Sequence, residues 1–101
     1  MQPTTNLRLS APRSPVPEVS RFYGISVRFY YRDHPPTHFH AFYAEHEALI
    51  EIDSGSIHRG YLPPIALNLV NSWRLMHLEE LRQDWERARQ QLPLLPIAPL
   101  E

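Results

Sequence analysis

Apolar and polar residues alternate most regularly between Val19 and Tyr31. Ile25, Val27, Phe29 and Tyr31 hold one parity; Ser26, Arg28, Tyr30 and Arg32 hold the other. A period of two marks a half-buried strand, because successive side chains leave opposite faces. Gly24 inside this run predicts a bulge or bend. His38–Tyr43 and Ala48–Ile52 read as a second and a third strand, joined through Ala44-Glu45-His46-Glu47. Asp53-Ser54-Gly55-Ser56 is a turn, and Ile57–Tyr61 predicts a short fourth strand. Connections this short favour antiparallel hairpins over parallel crossovers.

The period changes after Pro63-Pro64. A proline in the first turn of a helix lacks an N–H that would have no helical partner anyway. Ile65, Ala66, Leu69, Val70, Trp73 and Met76 then recur at helical spacing. A second stripe, Leu78, Leu81, Trp85 and Ala88, does not continue the first. Two helices meeting near His77 are predicted, the second ended by Pro93. Trp73 and Trp85 are expected in the core or in helix packing. The charges from Glu79 to Arg89 are expected on a solvated face with local ion pairs. Strands first and helices afterwards make an α+β fold. The expected architecture is a three- to four-stranded antiparallel sheet followed by two C-terminal helices packed on one face.

Residues 17–92 are expected to form one domain. Residues 93–101 hold Pro93, Pro96 and Pro99 between Leu and Ile. They cannot be helix and read as an extended tail, lying on the domain or on a partner. Residues 1–16 lack apolar periodicity and read as a disordered leader or an artefact of start-codon assignment.

The composition removes several classes of function. There are no cysteines, which excludes disulfides, thiolate catalysis and cysteine-based zinc sites. No apolar run approaches the roughly 18 residues of a membrane span, and no secretory signal opens the chain, so a cytoplasmic protein without a membrane partner is expected. The net charge is −1 with histidines neutral and +5 with all six protonated. That balance speaks against strong non-specific nucleic-acid binding but leaves room for a local basic face. All ten cations are arginines, whose planar fork suits phosphate and carboxylate.

Candidate chemistry concentrates at Asp33-His34-Pro35-Pro36-Thr37-His38-Phe39-His40, which holds three of the six histidines. His38 and His40 share a strand face, with Phe39 turned to the core. Two unligated histidines can divide general acid and base roles in phosphodiester cleavage, with arginines such as Arg28 and Arg32 steadying the phosphate. His38 and His40 are therefore the candidate catalytic pair, and no cofactor is expected on that reading. A metal is the lesser alternative, through His34, His38 and His40, with Asp33 in place of His34 as a variant. The competing structural reading makes these histidines solvent-face residues or hydrogen-bond partners of the turn. Arg28, Tyr30 and Arg32 interleave basic and aromatic groups, a pattern able to grip single-stranded nucleic acid. Its structural alternative is a solvated strand face paired with Glu45, Glu47, Glu51 and Asp53.

Several segments together resemble a family of small bacterial proteins known only as a domain of unknown function. They are Ser20–Ile25, Asp33–Pro36, His38–His40, Glu47–Asp53, Gly60-Tyr61-Leu62-Pro63 and the helices bearing Trp73 and Trp85. The specific element is Asp-His-x-Pro-Pro-His-Phe-His; this chain has one residue fewer before the double proline and carries Thr37 after it. Members begin with Met-Pro where this chain has Val16-Pro17. They are commonly encoded beside a second small protein, in pairs that resemble toxin–antitoxin modules. The resemblance implies a toxin-like component of a type II module, neutralised by a cognate small antitoxin-like partner. RNA cleavage or RNA binding is the most economical activity for it, with His38 and His40 as acid/base candidates and Arg28 and Arg32 as phosphate contacts. A non-catalytic interaction module acting in transcriptional autoregulation is the alternative, and a small histidine-based metal-binding protein the second. An edge strand and the apolar tail also make self-association an expectation.

Overall fold

A computed structural model describes residues 16–101, so the expected leader, Val16 aside, lies outside the described residues. Five strands follow one another: β1 (Glu18–Phe22), β2 (Ile25–Arg28), β3 (His38–Tyr43), β4 (His46–Glu51) and β5 (Ile57–Gly60). Each pairs antiparallel with the next, so sheet order equals chain order. Two helices complete the α+β fold, α1 (Pro64–Met76) and α2 (Leu78–Arg89).

The strand count exceeds the expected three to four because the first predicted strand is two. Tyr23 and Gly24 have φ of 51° and 80°, and Phe22 pairs directly with Ile25. Two left-handed residues in succession make a tight hairpin turn, not a bulge. Ala44, with φ of 52°, opens the turn between β3 and β4, where Tyr43 faces His46.

One sheet face is apolar. Ile25, Val27, Phe39, Ala41, Ala48 and Ile50 are all fully buried there. α1 covers this face with Trp73, whose ring centroid lies 5.3 Å from Phe22 and 6.0 Å from Phe39. α1 starts at Pro64 without a side-chain cap, the missing N–H of a first-turn proline leaving one fewer donor to satisfy. Buried Arg74 at its far end donates from Nη1 to the Ile52 carbonyl at 2.7 Å and from Nε to Asn71 at 2.9 Å. It thereby ties the helix to the turn that follows β4.

His77 breaks the helical run at φ −134°, ψ 31°, where the two apolar stripes fail to join. α2 ends before Pro93 is reached. Gln91 takes φ of 60°, the Leu92 N–H reaches the Arg87 carbonyl at 2.9 Å, and the Gln91 N–H reaches Ala88 at 3.2 Å. This is a left-handed C-terminal cap, and the proline lies beyond it.

The tail folds back on the domain. The Leu95 N–H donates to Asp84 Oδ1 at 2.8 Å, and the Trp73 indole N–H to the Ala98 carbonyl at 2.8 Å. Between them, the Ile97 N–H bonds the Val19 carbonyl at 2.8 Å and its side chain is buried. No helix among the described residues is long and apolar enough to cross a membrane.

Candidate functional site

The second sheet face carries the polar side chains. His40 stands opposite Arg28 of β2 and Leu49 of β4, and His38 opposite Glu51. Alternation along β3 sends both imidazoles to this face while Phe39 enters the core. Their ring centroids lie 5.1 Å apart. Trp85 of α2 packs on His38 at 5.2 Å, and Tyr30 packs on His40 at 4.3 Å. Both imidazoles are therefore buried, although they rise from the polar face.

The segment between β2 and β3 brings Asp33 over the pair. It is anchored where the Arg32 N–H meets the Ala88 carbonyl at the end of α2. Asp33 Oδ2 lies 2.9 Å from His38 Nε2 and 3.0 Å from His40 Nε2. Its other oxygen accepts the His34 N–H at 2.9 Å. Burial works to raise the Asp33 carboxyl. The hydrogen bonds from His40 and from the His34 backbone, with the charge of both imidazoles, outweigh it and hold the group below its ordinary value.

The remaining ring nitrogens are also engaged. His38 Nδ1 is 2.6 Å from the Pro36 carbonyl, and His40 Nδ1 is 2.9 Å from Glu47 Oε2. A carbonyl only accepts, as does a carboxylate, so each Nδ1 carries its proton and donates. That assignment directs both Nε2 atoms and Asp33 Oδ2 toward one point. Two outcomes satisfy it. Both imidazoles are protonated and paired with Asp33, or both Nε2 lone pairs face a cation.

Two histidines and one carboxylate, with ligand atoms all within 4.8 Å of one another, form a set able to hold a metal ion. Asp33 Oδ2 stands 2.9 and 3.0 Å from the two imidazole Nε2 atoms, the roughly 3 Å of octahedral neighbours about an ion at about 2.1 Å and somewhat under the roughly 3.4 Å of tetrahedral ones. Metal-bound histidines commonly donate their other ring N–H to a carbonyl or carboxylate, fixing tautomer and ring orientation. Pro36 and Glu47 occupy those positions here.

A half-open cleft of about 340 Å³ adjoins the cluster. Asp33, His40 and Glu47 line one side; Tyr30, Leu49, Arg59 and Gly60 complete it. Burial, with the charges of Glu47 and Asp33, raises the Tyr30 phenol above its ordinary value, so it remains a neutral donor.

The residues expected from sequence separate into three groups. His38 and His40 come together, but every ring nitrogen of the pair faces a protein oxygen. His34 is exposed and contributes its backbone, so Asp33 takes the third position. The Arg28, Tyr30 and Arg32 series is divided because β2 ends at Arg28 and Arg32 turns away at φ of 56°. Arg28 lies over Phe42 at 5.4 Å and donates to Ser26 Oγ at 2.8 Å; Tyr30 lines the cleft; Arg32 does not.

Glu47 and Arg59 were not among the expected site residues. Glu47 was legible in principle, since a two-residue turn at Ala44-Glu45 sets it diagonally across from His40. Arg59 gave no local signal.

The fold and site together define a small α+β protein with a two-histidine, one-carboxylate cluster on the polar face of an antiparallel sheet. The chain belongs to the family described as Domain of unknown function (DUF4160), whose model matches residues 24–86. That span contains the whole cluster and leaves out β1, the end of α2 and the C-terminal tail. No curated protein and no solved structure matches the chain.

Proposed function

We propose that the protein is metal-dependent and binds one divalent first-row transition ion through His38 Nε2, His40 Nε2 and Asp33 Oδ2. One observation carries the reading: both Nδ1 atoms are held by acceptors, so both Nε2 atoms converge with a carboxylate oxygen. An ion held by three protein ligands keeps coordination positions for a reacting group, and such an ion supplies Lewis-acid activation of water or of a phosphoryl oxygen. The activity proposed for it is hydrolysis of an RNA phosphodiester. The setting proposed is a cytoplasmic type II toxin–antitoxin-like module in which a cognate small protein restrains the enzyme. What supports that setting is the resemblance of the segment around Asp33–His40; what supports the chemistry is the ligand set.

A second reading is metal-free acid–base chemistry. It is favoured by His40, which unlike His38 lines the cleft. Metal analysis of untagged protein separates the two. The metal reading expects one equivalent of zinc, iron or manganese, lost in the His38→Ala and His40→Ala variants. Full growth inhibition by a chelated, metal-free protein, with inhibition lost in His40→Ala alone, would overturn it. Induced expression with and without the neighbouring gene tests the module itself.

A further inference from the structure

We propose that the cleft beside the cluster is a phosphoryl-oxyanion site, in which Arg59 holds the anion against the open side of the metal. The proposal rests on the metal reading above and adds what the site takes. Three positions in one row across the sheet place its parts. His40 pairs with Leu49, and Leu49 pairs with Arg59. Directly paired residues present side chains to the same face, and adjacent strands lie about 4.8 Å apart, so Arg59 starts about 10 Å from His40 on its own face. Both line the same cleft. An arginine side chain spans most of that gap, with room left for one tetrahedral anion.

Arg59 is also available. It is exposed, and it has no ion pair or side-chain hydrogen bond among the described residues. Two other arginines on this strand face are committed, Arg28 to Ser26 and Phe42 and Arg21 to Glu18. A guanidinium offers two parallel donors to an oxyanion, which leaves a further oxygen for the ion.

The ion supplies the other half of the site. Without it, the two imidazoles carry the protons that pair them with Asp33, so a divalent ion replaces two positive charges with two. What the ion adds is an open coordination position, which a proton lacks. An anion in the loaded cleft is held by a ligand bond and by Arg59, and in the metal-free cleft by Arg59 without that bond.

Cobalt(II) is the probe, because its visible absorption reports changes among its ligands. Full-length protein is loaded with cobalt and titrated with inorganic phosphate. The expected result is a saturable change in the cobalt bands, at least tenfold weaker phosphate binding by metal-free protein, and at least tenfold weaker phosphate binding in Arg59→Ala. Cobalt content should be unchanged in that variant, and Arg59→Lys should recover part of the loss. A short single-stranded oligoribonucleotide then tells two sources of the anion apart. Tighter binding than phosphate, lost in Tyr30→Ala, assigns an RNA backbone; equal binding assigns a free or terminal phosphate. If cobalt binds and phosphate leaves its bands unchanged, or if Arg59→Ala binds phosphate as wild type does, the oxyanion site is refuted with the metal centre intact. If cobalt does not bind, both fall together.

Discussion

His40 Nδ1 lies 2.9 Å from Glu47 Oε2, a contact across the β3–β4 hairpin that fixes which nitrogen of the imidazole carries its proton. Glu47 is half-buried and lies in no other ion pair among the described residues. Replacing it with Gln keeps an acceptor in place but removes the charge. Metal affinity should fall by about tenfold, near the lower end of the effects seen when outer-shell partners are changed. Calorimetric titration with zinc measures it. An unchanged affinity would separate Glu47 from the centre.

Metal binding should also appear as stability. An ion that binds only the folded chain adds about 2.7 kcal/mol at a free concentration 100 times its Kd. For a domain of this size that corresponds to a rise in Tm of roughly 10–20 °C. Thermal unfolding with zinc and with excess chelator should show the rise in wild type. Asp33→Asn, His38→Ala and His40→Ala should lose most of it, each lacking a ligand.

Gly60 is the glycine least open to replacement. Its φ is 89°, and a Cβ there would overlap the Glu47 carbonyl oxygen. Neither a backbone change nor a rotamer relieves both conflicts, because that carbonyl also accepts the Tyr61 N–H at 3.0 Å. Gly60→Ala should cost more than about 2 kcal/mol, from left-handed strain together with the overlap. Urea unfolding gives the value. Because Glu47 is the displaced neighbour, metal affinity should fall in the same variant.

Asp84 should give the protein an acid-dependent stability of unusual sign. It is fully buried, and its Oδ2 has no hydrogen-bond partner among the described residues. Burial raises its carboxyl; the Leu95 N–H and Arg87 lower it, Glu80 adds to the rise, and the net direction is upward. The folded chain thus holds this proton at higher pH than the unfolded chain does. The stability contributed by the group falls as pH rises from about 3.9 through the raised value, and stays at its lower level above that. Asp84→Asn keeps an acceptor for Leu95 and abolishes the titration. Its stability relative to wild type should therefore increase with pH across that window and then level off. A difference independent of pH would show that Asp84 titrates normally.

Much of this was legible in the order of residues. Alternation from Ile25 to Phe29 located β2, and the mismatch of two helical stripes located the break at His77. The extra hairpin was not legible, because Tyr23 is a bulky residue in a left-handed conformation that sequence patterns rarely assign to it. His38 and His40 could be paired because alternation is local. Their burial could not be foreseen, since it depends on Trp85, 47 and 45 positions later, and on Tyr30 leaving the strand pattern. Asp33 outranks His34 as the third group because Arg32 reverses the chain at that point. Arg59 joins the site only through two successive strand pairings, and no short-range pattern encodes such a relation.

The strap formed by Leu94–Leu100 has a bearing on how the chain fails. A sheet of five strands in sequential order has two outer rims, and the Ile97 N–H occupies one of them at Val19. Pro96 and Pro99 flank that contact without N–H groups of their own. The strap can shield the rim but makes a poor template for another strand. A chain cut before Leu94 would bare the rim and leave the Trp73 indole without its acceptor, while β2 to β5 kept their pairings. Its first symptom would be sticking to its neighbours rather than melting. The strap would thus guard solubility.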